Sequence, residues 1–403
     1  MKHIELYDTT LRDGAQAEGI SFSVNDKLRI VKKLDDLGIH YIEGGWPGAN
    51  PKDIAFFQKT KRLKLKNSKV VAFGSTRRAN TKAANDKVLK GLLTSGTEVI
   101  TIFGKTWDLH VKTVLKTTLD ENLRMIEDSI RFLSSKGKMV IFDAEHFFDG
   151  FKNNKDYALS ALVAAQNGGA KRIVLCDTNG GTLTSQIFEI IEEVKVKIST
   201  PIGIHTHNDS EMAVANSLAA VQAGATHVQG TINGYGERCG NANIVSIIAN
   251  LKLKMGIDCI SDLALKELTE VSHYVAEICN MRQEDKQPFV GASAFAHKAG
   301  VHINAILKNP SSYEHMEPTK VGNRRRLLIS ELSGRSSIMK KAEQMDLGLD
   351  TAKEHGQNIL KALQKLEHKG YQFESAEASL EIFMKRTLKK FKDFFQLKDF
   401  RVI

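Results

Sequence analysis

Cysteine, proline and long apolar runs are all scarce in these 403 residues. The four cysteines, Cys176, Cys239, Cys259 and Cys279, include no CxxC pair. That excludes a thiolate zinc ribbon, argues against a disulfide framework and suits a reducing compartment. No apolar run reaches the ~18 residues that span a bilayer. The opening MKHIELYDTTLRDG reads as a strand entering a polar loop, without the charged and apolar regions of a signal peptide. A cytoplasmic chain with no membrane partner is expected. Charge of one sign is not segregated either: 57 basic and 47 acidic residues leave a net +10, and the excess is spread out, with five basic residues in 59–66 and four in 320–326. Both clusters read as solvated faces. Without a basic stripe interleaved with aromatics, no nucleic-acid partner is expected, and the charge offers at most modest steering of an anionic coenzyme. With 42% hydrophobic residues the chain can bury a large core, which excludes wholesale disorder.

What is present is an alternation. Short β-branched runs occupy residues 3–7, 41–43, 69–73, 98–103, 139–142, 172–175, 202–204 and 226–229. Amphipathic helical stretches at 24–37, 119–134, 156–167, 185–197 and 212–223 lie between them. Gly38, Gly96, Gly137, Gly168 and Gly224 each stand just before a strand, as left-handed helix stops. Strands alternating with helices imply parallel βαβ units, and eight of them within residues 1–258 predict a (β/α)8 TIM barrel. A doubly wound open sheet is the competitor, but no GxGxxG follows the first strand. Residues 259–330 read as a linker subdomain, with one helix at 263–279 and polar loops over 280–313. Residues 331–403 read as a helical C-terminal subdomain.

Barrel chemistry gathers at the C-terminal ends of the strands, and the unusual polar residues fall there. Strand one runs into DTTLRDGAQ, which puts the Arg12 guanidinium, the Asp13 carboxylate and the Gln16 amide close together. The same residues also read as an Asp/Gly turn with a surface ion pair. Strand seven ends in HTHND, where His205 and His207 share one face of an extended segment. They can meet at a metal or serve as a polar pair in the core. Strands one and seven are separated only by strand eight. Asp13, His205 and His207, with Asn241 from the glycine-rich GYGERCGNAN loop, could therefore surround one divalent ion. Such donors suit Mg²⁺, Mn²⁺ or Zn²⁺ without choosing among them. Strand five closes in FDAEH, where Glu145 is a candidate general base or the partner of a neighbouring arginine. Thr178, after strand six, reads as a polar group at the rim or a helix cap. The loop over 44–51 could cap the mouth, with Pro51 opening a helix. In AFAHKAGVH, His297 and His302 read as a structural pair unless brought to a metal site.

DTTLRDGAQAEGISFS, IEGGWPGANPKD, HTHND, GYGERCGNAN and AFAHKAGVH, in that order along the whole chain, resemble the metal-dependent acyl-CoA condensing barrels. This is the family of the isopropylmalate, homocitrate and citramalate synthases. GGWPGANPKD and FDAEHFFDG look most like its citramalate branch. The resemblance implies an acyltransferase that condenses acetyl-CoA with an α-keto acid. In that branch pyruvate would give (R)-citramalate and CoA, in isoleucine biosynthesis. Phe73, Phe103 and Asp143 would line the keto-acid pocket, and their bulk favours a small substrate over 2-oxoisovalerate or 2-oxoglutarate. A hydroxymethylglutaryl-CoA-type lyase is a further alternative. By motif, the resemblance implies metal ligation by Asp13, His205, His207 and Asn241, and an oxyanion held by Arg12. It implies keto-acid binding by Arg12, Gln16 and Thr178, with Glu145 as base. His297, or Tyr313, would be a catalytic group delivered from the extension of a partner subunit, which implies a domain-swapped homodimer. Members of the family carry a further C-terminal amino-acid-binding domain. The sequence stops about where it would begin, so feedback inhibition by isoleucine is not expected.

Overall fold

The β-branched runs become strands covered on both faces, as parallel strands between helices and a packed interior must be. In this computed structural model, which describes residues 3–402 apart from 49, 329–334, 346, 348, 375, 389 and 393–394, eight strands form the frame. They are β1 (Glu5–Asp8), β2 (Tyr41–Gly45), β3 (Lys69–Ser75), β4 (Val99–Lys105), β5 (Met139–Glu145), β6 (Arg172–Asp177), β7 (Ile202–Thr206) and β8 (His227–Gly230). They pair in chain order, and β8 returns to β1 with Val228 opposite Leu6. Closure removes the open-sheet alternative.

Inward side chains fill the barrel in layers. Tyr7, Tyr41, Val71, Val99, Ile141, Val174 and Cys176 form an apolar plug. At the N-terminal end Glu5 of β1 accepts from Arg172 of β6 and lies 3.4 Å from His227 of β8. Toward the C-terminal end the inward residues turn polar: Glu43, Thr101, Asp143 and Gln229 are all buried. β5 runs three residues beyond the expected strand, so Asp143 and Glu145 project from the strand itself.

Local signals set the helix ends. A reciprocal Ser23–Asp26 capping box opens Val24–Leu37, and Gly38 ends it at φ 90°. Pro51 stands in the first turn of Pro51–Thr60 behind an Asn50 cap. One stop is displaced: Gly169, at φ 96°, ends Lys155–Gly168. Gly168 is still helical, and a Cβ there would lie 2.8 Å from Ile130, so it serves close helix packing instead.

The chain divides into two compact units, Met1–Glu284 with Pro288–Val290, and Asp285–Gln287 with Gly291–Ile403. In the first, the single helix expected over 263–279 is two, Asp262–Lys266 and Leu268–Ile278. In the second, the stretch expected to be loops holds a helix, Gly300–Lys308, whose Ile303 and Ile306 are buried at helical spacing. Ala296–His297 pairs with Arg326–Leu327, and Ile338, Ala342, Ile359, Leu363, Leu380 and Met384 form a helical core. The expected boundary at 330/331 lies outside the described residues. Among those described, no helix is long and apolar enough to cross a membrane, and all four cysteines are free thiols.

Candidate active site

Three backbone N–H groups, of Arg12, Asp13 and Gly14, donate to the Thr9 carbonyl and curl the chain inward after β1. This turns Asp13 toward the inward histidines of the β7 end. Asp13 Oδ2 lies 3.3 Å from His205 Nε2, which lies 3.3 Å from His207 Nε2. One carboxylate oxygen and two ring nitrogens thus lie within 4.8 Å of one another, the only such group among the described residues. Asn241 pairs its backbone with His207, and its Nδ2 donates to the Tyr235 carbonyl at 3.2 Å. Asn241 Oδ1 is buried without a donor, an unmet acceptor on the residue that pairs with His207. This oxygen and nitrogen donor set fits a divalent cation.

The charges around the group are strongly coupled. Burial pushes the Asp13 carboxyl upward, but the Arg12 charge and the His205 hydrogen bond outweigh it and hold it well below the usual range. Burial and the neighbouring His205 press His207 down to about 3, so its ring is neutral at physiological pH. Burial also lowers His205, yet Asp13 raises it overall. Burial, with Glu43 adding to it, lifts Asp143 to about 7.

Arg12 is clamped. Its Nε donates to Glu43 Oε1 at 2.5 Å, its guanidinium lies 3.8 Å over the Phe73 ring, and its NH1 is 3.4 Å from Asp13. Glu43 Oε2 in turn accepts from Tyr7 OH at 2.5 Å. Sequence reasoning misses Glu43. Its one signal is position, an acidic residue two places after inward Tyr41 on a strand buried throughout. Beside it Trp46, Phe73 and Phe103 build an aromatic wall, with ring centroids 5.5 to 6.1 Å apart. The wall is pinned from behind, because Asp53 Oδ2 accepts from the Trp46 amide and Lys27 Nζ donates to Asp53 Oδ1.

Arg12, Asp13, Gln16, Glu145, Thr178, His205 and His207 line one cavity of about 290 Å³ with that wall and with Asp143. The cation beside Glu145 is Lys105 rather than an arginine. Thr178 is not a helix cap: the next helix starts at Thr184, and Thr178 Oγ1 accepts from the His146 amide at 2.9 Å. Arg238, bidentate to Asp209, also donates to the Thr178 carbonyl at 2.7 Å and ties three rim loops together. His297 and Tyr313 belong to the second unit. There His297 Nε2 lies 3.2 Å from Glu314 Oε1, Arg325 grips the same carboxylate, and exposed Tyr313 stacks on His302 at 4.3 Å.

Residues 3–275 match the HMGL-like family model, and residues 289–371 match the homocitrate synthase post-HMGL domain-like model. An (R)-citramalate synthase of Geobacter sulfurreducens is 55% identical over all of this chain and 76% of its own length. A 2-isopropylmalate synthase of Sulfolobus acidocaldarius is 35% identical, with 94% of each chain covered. Among solved structures, the HMG-CoA lyase of Bacillus subtilis shares the fold at a TM-score of 0.59 and 20% identity, covering 70% of this chain and 95% of that one.

Proposed function

Because the chain belongs to the HMGL-like family and, within it, to the (R)-citramalate synthases, we propose that it condenses acetyl-CoA with pyruvate and hydrolyses the thioester. The products are (R)-citramalate and free CoA. The observation that carries this reading is the cavity itself, which Asp13, His205 and His207 line together with Trp46, Phe73 and Phe103. Asp13, His205, His207 and Asn241 would hold a divalent cation, which would supply Lewis acidity at the keto carbonyl when bound.

The remaining work falls to the chain's own groups. Thr178 Oγ1 already accepts from His146 N–H, so its own proton is free to donate to the keto-acid carboxylate. Gln16, on the same cavity wall, offers an amide to the substrate. Glu145, steadied by Lys105, takes a proton from the acetyl methyl. The resulting carbanion equivalent attacks the keto carbon, and Arg12, unable to swing away from Glu43 and Phe73, stabilises the alkoxide that develops. Water then cleaves the thioester. Trp46, Phe73 and Phe103 crowd a cavity of about 290 Å³, and their bulk supports pyruvate over larger keto acids.

His297, with Tyr313, is assigned as a group delivered to this mouth from the second unit of a partner chain, in a swapped homodimer. The setting is the cytoplasm and the product feeds isoleucine biosynthesis. The test is CoA release with pyruvate, 2-oxoisovalerate and 2-oxoglutarate under Mg²⁺, Mn²⁺ and Zn²⁺ in turn. Pyruvate should give the highest kcat/KM. A higher value for 2-oxoisovalerate, or cleavage of hydroxymethylglutaryl-CoA in place of condensation, would sink the reading.

A further inference from the structure

Gln229 is an inward residue of β8 with no exposed surface. A primary amide buried in a barrel needs a partner at each end, or it costs the fold its desolvation energy. Both partners are present and come from different strands. Gln229 Nε2 donates to Asp143 Oδ1 on β5 at 3.0 Å, and Gln229 Oε1 lies 2.9 Å from His205 Nδ1 on β7. A carboxylate oxygen accepts, so the amide must present its NH₂ to Asp143 and therefore its carbonyl to the imidazole. That carbonyl can only accept, so His205 must carry a proton on Nδ1. With Nδ1 committed to the amide, it is Nε2 that faces Asp13 Oδ2 and His207 Nε2, each at 3.3 Å, and Nε2 is the nitrogen that a cation would take once its proton leaves.

We propose that Gln229, oriented by Asp143, is a positioning residue that anchors the His205 ring through a proton on Nδ1 and so aims Nε2 at the cation site. This rests on the reading that Asp13, His205 and His207 hold a divalent cation. Neither Gln229 nor Asp143 need touch it. Groups behind a ligating histidine act through its tautomer and orientation, and their loss commonly weakens metal binding by about 10- to 100-fold.

The measurement is Mn²⁺ binding by equilibrium dialysis on the full chain, with far-UV circular dichroism and metal-free melting as folding controls. Gln229→Leu should weaken Mn²⁺ binding by about 10- to 100-fold. At saturating Mn²⁺ the KM for pyruvate should stay close to that of the unaltered chain. Gln229→Glu should also bind poorly, because a second carboxylate then faces Asp143. Adding Asp143→Asn to Gln229→Glu should restore binding, since the new amide on β5 can donate to the new carboxylate on β8, which still accepts from His205. A purely structural role would not yield that rescue. Gln229→Leu binding Mn²⁺ as tightly as the unaltered chain would overturn this inference alone. Absence of Mn²⁺ binding to the unaltered chain would overturn the metal reading and this inference with it. A readout that needs no variant is the long-range ¹H–¹⁵N spectrum of His205 in the Zn²⁺-loaded protein. It should show a protonated Nδ1, and a protonated Nε2 would refute the proposal.

Discussion

Asp13 and Glu43 are both buried carboxylates against the same arginine, yet their work differs. Asp13 faces the histidines, so its replacement removes a donor from the cation cluster. Asp13→Asn or His205→Ala should lower CoA release by about a thousandfold, the loss expected when several kcal/mol of Lewis-acid stabilisation goes; a discontinuous CoA assay at saturating Mn²⁺ reads it directly. Glu43 is not among the residues that line the cavity, and it holds Arg12 still. Glu43→Gln should therefore leave metal binding intact and lower kcat by about a hundredfold through misplacement of the guanidinium. Unchanged kcat with a raised KM would instead make Arg12 a ground-state contact. At this scale the motifs were informative where chemistry is written in contiguous residues, as in RDG and HTHND. They were silent on Glu43 and Gln229, whose partners lie on other strands.

At the scale of elements, the glycines record how closely the layers approach. Gly150, within Phe147–Asn153, lies where an added Cβ would be 2.4 Å from the Thr106 carbonyl. That neighbour is backbone and cannot yield cheaply, so Gly150→Ala should cost about 1–3 kcal/mol. Urea unfolding should show it as a lower midpoint at constant slope. Helix periodicity and most glycine stops were legible in the sequence because they depend on residues within about a turn of one another. The helix Gly300–Lys308 was not, because only Ile303 and Ile306 mark its buried face and short elements carry few repeats. The displaced stop at Gly169 is similar in kind. Two adjacent glycines offer the same local freedom, and only packing against Ile130 keeps the first of them helical.

At the scale of the whole molecule, Glu5 helps lock the seam where β8 meets β1. Burial pushes its carboxyl up, but hydrogen bonds from His227 and Arg172 outweigh this and hold it at about 2, below its ordinary 4.5. A depressed carboxyl stabilises the fold fully above about pH 4.5 and loses that contribution as pH falls toward 2. Urea midpoints measured between those limits should fall steeply for the unaltered chain, and less steeply for Glu5→Gln, which starts from a lower value at neutral pH. The alternation of strand and helix, the glycine stops and the rim motifs were set by local order along the chain. They sufficed for a parallel barrel and for the residues at its mouth, because period and turn chemistry are short-range properties. The clamp on Arg12, the Gln229 bridge between β5 and β7 and the distances among Asp13, His205 and His207 were decided only in three dimensions. Each depends on side chains tens to hundreds of residues apart meeting inside one closed sheet, a distance that no local pattern encodes.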